Sequence, residues 1–254
     1  MAEKDQAFLL LRGFLREQRH WGGFINQLQA EFPGRQIITL DIPGNGRLYK
    51  ENSPCTIAEM TDHLRHQIHL KILVDGLTLI ALSMGGMIAI DWMIRFPAEI
   101  SKAVLINTSV RPFSPFYQRL RWQNYLLVIK ALAMQRFERE KLILFLTSNL
   151  STDNSRLLND WAQWNKECPV SPANALRQLL ATAKFSVPER PEQPVLIVSS
   201  RSDRLVHHQC SIDLAKAWSV PFIEHPSAGH DVPLDDPVWL SSHIGTWIRS
   251  LAME

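Results

Sequence analysis

Six short apolar runs, separated by stretches of helical periodicity, constrain this chain more than any other feature. The runs are Ala7–Leu11, Gln36–Leu40, Leu77–Leu82, Lys102–Ile106, Val195–Ser199 and Pro221–Glu224. Each is short enough for a strand and mostly apolar. Between them, His20–Phe32 puts Trp21, Phe24, Ile25, Leu28 and Phe32 on one helical face. Thr56 and Glu59 have capping-box spacing, followed by a stripe of Ile57, Met60, Leu64 and Ile68. Met84–Phe96 predicts a helix that stops before Pro97, and Pro237–Leu251 predicts a final helix. Strands alternating with helices imply an α/β fold: a mostly parallel sheet of about six strands, flanked by helices on both faces.

The rhythm breaks once. From Arg111 to about Val187 no strand is predicted, only helical segments around Tyr117–Met134, Phe137–Leu146, Ser155–Trp164 and Pro172–Lys184. Strands resume after Pro188, Pro191 and Pro194. The expected organisation is a core of residues 1–110 and 188–254, interrupted by a helical cap insertion at 111–187.

Composition narrows the function. A net charge of +2 with scattered basic residues argues against nucleic acid as a partner. No uncharged run reaches the ~18–20 residues of a membrane span. Cys55, Cys168 and Cys210 are odd in number and lack metal-ligand spacing, which predicts reduced thiols, a cytoplasmic protein and no metal or other cofactor. The opening MAEKDQ does not look like a signal peptide. The expected partner is a small-molecule substrate, with the chain a monomer or homodimer.

The chemistry-bearing residues lie at predicted strand ends. Ala81-Leu82-Ser83-Met84-Gly85-Gly86 joins an apolar strand to a helix. A serine on such a tight turn needs small neighbours two residues away on either side, and Ala81 and Gly85 are small. The helix N-terminus behind it offers free N–H groups to a developing oxyanion. A serine nucleophile needs a base, and the base needs an acid to hold it. Asp203 lies four residues beyond the strand ending at Ser199, and His230 follows the last strand. In open parallel sheets, loops at the strand C-terminal ends supply such groups. His225 is the rival base.

In these motifs the chain resembles the α/β-hydrolase superfamily over essentially its whole length. Ser83, Asp203 and His230 follow that family's chain order of nucleophile, acid and base. Leu11-Arg12-Gly13-Phe14 stands where the family carries His-Gly-x after its first parallel strand. The resemblance implies that the N–H groups of Phe14 and Met84 form the oxyanion hole. Asp41-Ile42-Pro43-Gly44-Asn45-Gly46-Arg47 is similar to the family's D-x-P-G-x-G-x loop, and Phe96-Pro97-Ala98-Glu99-Ile100 to its helix end. Arg12 in place of His and Ala81 in place of Gly depart from the pattern. The insertion is similar in size to the cap of small carboxylesterases, of pimeloyl-ester hydrolases and of the menaquinone-pathway synthase of this fold. Met87 stands where that synthase tends to carry Arg.

The resemblance implies a serine hydrolase that cleaves a small carboxylic ester or thioester through an acyl-enzyme. Alternatives are a C–C bond hydrolase or lyase/synthase of the same fold, or a non-catalytic ligand-binding member. Substrate contacts are expected from Arg12 and Arg111, near strand ends, and from the cap aromatics Trp122 and Trp161. Most of the cap aromatics are expected to form the cap's own core or to pack it on the sheet.

Overall fold

The computed structural model describes residues 7–69, 76–152 and 154–253. The opening segment 1–6, read above for targeting signals, lies outside the described residues. Six strands form one sheet: β1 (Phe8–Leu11), β2 (Ile37–Leu40), β3 (Leu77–Leu82), β4 (Ile100–Ile106), β5 (Val195–Ser200) and β6 (Phe222–His225). Their order is β2-β1-β3-β4-β5-β6, and every neighbouring pair is parallel.

Alternate residues of each strand enter opposite cores, as the two-residue period of a strand requires. Leu9, Leu11, Leu79, Ala81, Leu105 and Ile197 pack in one apolar cluster with side chains of α2 (Ile57–His69), α3 (Met84–Arg95) and α9 (Gln209–Trp218). Phe8, Leu10, Ile80, Leu82, Val104 and Val198 face the other way, onto α1 (Phe24–Glu31) and α11 (Pro237–Leu251). The short α10 (Val232–Asp235) adds Val232 to this second cluster. Burying each such Leu, Ile or Phe is worth roughly 1.5–3 kcal/mol. Two covered faces explain why the strands read as continuous apolar runs.

The helix expected over His20–Phe32 is broken. A 3-10 turn at Gln18–Trp21 precedes α1, because Gly22 takes a φ of +47° between them. The apolar face survives the break, with Trp21, Phe24 and Leu28 buried. The expected capping box forms: Glu59 N donates to Thr56 Oγ1 at 3.3 Å, and the Thr56 hydroxyl reaches Glu59 Oε2 at 2.8 Å. Helix α3 ends at Arg95 rather than Phe96, which has left the helical region (φ −136°, ψ 60°) before Pro97.

Between β4 and β5 the chain forms α4 (Phe116–Arg119), α5 (Tyr125–Ala133), α6 (Arg136–Thr147), α7 (Ser155–Glu167) and α8 (Pro172–Lys184). The single helix expected over Tyr117–Met134 is divided by a 3-10 turn at Trp122–Asn124. It is tied to the loop after β5: the Arg121 backbone N–H donates to Leu205 O at 2.9 Å, and the Asn124 side chain donates from Nδ2 to Arg204 O at 2.6 Å. An isolated bridge between Arg111 and Ser186, with Val187 N bonded to Arg111 O at 2.8 Å, closes the base of this helical segment.

Candidate active site

The chain leaves β1 towards β2 on one side of the sheet and returns to β3 on the other. This switch point brings the C-terminal ends of β1 and β3 together, the position where open α/β sheets bind ligands. Ser83 stands there, between β3 and α3, with φ 56° and ψ −118°. A non-glycine residue at positive φ stores of order 1–3 kcal/mol, held only because the surroundings leave no alternative. Those surroundings are close. A Cβ on Gly85 would lie 2.3 Å from the Leu11 carbonyl oxygen, so the turn seats directly on β1. Ala81 is fully buried under the turn.

The loop after β1 meets Ser83 from the other side. A Cβ on Gly13 would come 3.1 Å from Ser83 Cβ. The N–H groups of Phe14 and Met84, on either side of this contact, donate no hydrogen bond among the described residues. The loop is held rigidly: Leu15 N donates to Gln178 Oε1 at 3.1 Å, and Asn45 Nδ2 to Arg16 O at 2.9 Å. Gln178 Nε2 in turn donates to Asn45 Oδ1 at 2.7 Å. The Asp41–Arg47 loop therefore supports the Phe14 loop through Asn45. Gln178, from α8, had no signal in the sequence.

Asp203 and His230 meet beyond β5 and β6. His230 Nδ1 lies 2.7 Å from Asp203 Oδ2, and both residues are buried. The other Asp203 oxygen accepts the N–H groups of Leu205 and Val206 at 2.7 and 3.0 Å, which fixes the carboxylate. With Nδ1–H turned to Asp203, Nε2 is left as the basic nitrogen. Asn107, at the end of β4 with φ 47°, donates from Nδ2 to the His230 carbonyl at 2.7 Å and accepts from Ser200 N at 2.8 Å. No hydrogen bond joins the Ser83 hydroxyl to the ring among the described residues, a looseness common before substrate binds. The rival, His225, has its ring engaged. Its Nδ1 accepts from Ala228 N at 2.8 Å and its Nε2 faces Asp236 at 3.3 Å.

Ser83, Phe14 and His230 border one cavity of about 170 Å³, roofed by Val128, Leu142, Ile143, Leu146, Leu176 and Leu179. Arg12 also borders it, but its guanidinium is buried and bonded to both oxygens of Asp231, at 3.1 and 2.5 Å, with the Trp21 ring 4.9 Å away. Arg111 is exposed and borders a separate cavity of about 860 Å³ with Arg119 and Phe116. Trp122 is 63% exposed and Trp161 packs with Leu144 and Leu158, so neither borders the Ser83 cavity. Among the polar residues that do border it, Arg16, Arg139, Glu140 and Asn165 carried no sequence signal.

Arg16 and Glu140 form a second buried ion pair at 2.7 Å, and Arg16 also reaches His20 Nε2 at 3.0 Å. Burial, aided by the charges of Arg16 and Arg12, drives His20 well below its ordinary pKa, so its ring is neutral. Cys55, Cys168 and Cys210 are free thiols, and burial raises the Cys210 thiol to about 11. Among the described residues no cluster of three or more His, Cys, Asp or Glu could hold a metal, and no helix is long and apolar enough to cross a membrane.

This architecture, with a serine turn at the switch point and a buried histidine–carboxylate pair beside it, defines an α/β-hydrolase. The chain belongs to the alpha/beta hydrolase family, whose model matches residues 8–242. Among curated proteins it is similar to RutD of Rhizobium rhizogenes, provisionally named a carbamate hydrolase, at 24% identity over 96% of this chain and 93% of that one. Among solved structures it is similar to a thermophilic esterase of Thermogutta terrifontis, with a TM-score of 0.74 and 19% identity, covering 96% of this chain and 90% of that one. A protein of Acinetobacter baumannii, provisionally named a lipase, superposes with a TM-score of 0.80 at 16% identity, covering 99% and 86%.

Proposed function

We propose that this enzyme is a serine hydrolase that cleaves a small carboxylic ester or thioester through an acyl-enzyme. The observation that carries the reading is the 2.7 Å contact of His230 with Asp203, beside a cavity that Ser83 shares. His230 Nε2 takes the proton of Ser83 as Oγ bonds to the substrate carbonyl carbon. The oxyanion collects against the N–H groups of Phe14 and Met84. Collapse breaks the bond to the leaving alcohol or thiol, which receives the proton from His230. Water then attacks the acyl-serine, with His230 again as base and Ser83 as leaving group. Asp203 holds the ring in the required tautomer and stabilises its cationic form. Residues 111–187 act as the cap over a core of 1–110 and 188–254, and no cofactor enters these steps.

Labelling with a fluorophosphonate probe tests this. Adduct at Ser83, lost in Ser83→Ala, with turnover of an aryl ester, thioester or carbamate panel, is the expected result. A folded protein that neither labels nor turns over any of the panel sinks the reading.

A further inference from the structure

The cavity beside Ser83 holds more positive charge than its walls cancel. Three guanidinium groups border it, on Arg12, Arg16 and Arg139, against two carboxylates, Asp231 and Glu140. Arg12 is spent on Asp231, and Arg16 Nη1 on Glu140. Arg139 Nη2 donates only to a neutral oxygen, Asn165 Oδ1 at 2.6 Å, while the amide nitrogen of Asn165 holds the second oxygen of Glu140 at 3.1 Å. No carboxylate lies within ion-pair distance of Arg139 among the described residues. One cation is therefore in excess.

The same corner carries an unsatisfied donor. Arg16 is 8% exposed, and its Nη2 is buried with no hydrogen-bond partner. Such a group costs roughly 1–3 kcal/mol until an acceptor reaches it. The roof above is aliphatic and offers none.

We infer that the ester cleaved here carries a carboxylate, bound between Arg16 Nη2 and Arg139 while the scissile carbonyl sits at Ser83. This rests on the serine-hydrolase reading above. Glu140 and Asn165 act as positioning residues that fix the two guanidinium groups. The aliphatic roof covers the short chain between the two ends of the substrate.

The test compares aryl half-esters of succinic, glutaric and adipic acid with length-matched neutral aryl esters and with ω-hydroxy esters, on the full chain. At least one half-ester should be favoured by roughly ten-fold or more in kcat/KM, mostly through KM. Arg139→Gln should bring that ratio towards one. Arg16→Met alone strands Glu140, so the paired variant Arg16→Met/Glu140→Leu is used and should do the same. Equal or better turnover of the neutral or hydroxy esters, with Ser83 still labelled by fluorophosphonate, overturns the carboxylate site and leaves the hydrolase reading intact. If Ser83 does not label, binding decides: glutarate or adipate should raise the melting temperature of the natural chain more than that of Arg139→Gln, and equal shifts overturn the proposal.

Discussion

Arg12 and Asp231 face each other through both guanidinium ends, deep in the protein, 219 positions apart in the chain. One is the residue before Gly13, in the loop that abuts Ser83, and the other follows His230. The pair therefore straps the loop bearing Phe14 to the loop bearing His230. Breaking a buried pair by removing one member typically costs about 3–5 kcal/mol, whereas replacing both by apolar groups is far milder. Asp231→Asn should lower the unfolding free energy from urea melts by that order, and Arg12→Met/Asp231→Leu should recover most of it. Additive losses in the double-mutant cycle would show that the strap carries no coupling.

Asp203 is predicted to act on the ring rather than on the fold. Asp203→Asn keeps the side-chain size but can donate where it must accept, and so favours the wrong tautomer of His230. Loss of kcat should be about 10³- to 10⁴-fold, with near-native near-ultraviolet circular dichroism. A change under ten-fold would remove Asp203 from the proposed mechanism.

Gly85 sits where a methyl group would strike backbone, not a side chain that can swing aside. Gly85→Ala should force the serine turn away from β1, costing roughly 1–3 kcal/mol and most of the activity. Thermal unfolding and turnover unchanged from the natural chain would show that the turn has room to yield.

His20 makes stability fall on acidification. Its folded pKa lies well below the ordinary value because the ring is buried near Arg16, Arg12 and Arg19, with Glu17 its acidic neighbour and Trp161 and Trp164 packed on it. The unfolded chain therefore binds a proton that the folded chain refuses. The stabilisation is complete above about pH 6.5 and is lost as pH falls below it towards the folded value. Urea melts from pH 7.5 to 5 should show this slope, and His20→Gln should flatten it. Identical slopes would locate the titration elsewhere.

Much of this molecule was legible in the sequence, for physical reasons. Strands buried on both faces leave an unbroken apolar run, and a serine turn pressed on β1 leaves Gly85. The region between β4 and β5 was legible as helical but not in its breaks, because the interruption at Trp122–Asn124 comes from long-range bonds to Arg204 and Leu205. The cavity walls were the least legible part. Arg16, Arg139, Glu140 and Asn165 are ordinary polar residues locally, and only tertiary packing gathers them. Arg12 was visible as a departure, but its partner Asp231 was hidden behind the more conspicuous His230.

Asp235 has a consequence for how such a protein can diversify. Its carboxylate collects Gly229 N at 2.7 Å, Asn149 N at 2.9 Å and the Ser148 hydroxyl, while Asp231 N is bonded to Thr147 O at 2.7 Å. The end of α6 and the loop bearing His230 are thus one stitched unit. Residues 111–187 are consequently a poor module to exchange wholesale between relatives, because a transplant must bring a carbonyl, an N–H and a hydroxyl to the places held by Thr147, Asn149 and Ser148 to seat this loop. New specificities are more readily reached by single replacements along the aliphatic roof, which leave those stitches untouched.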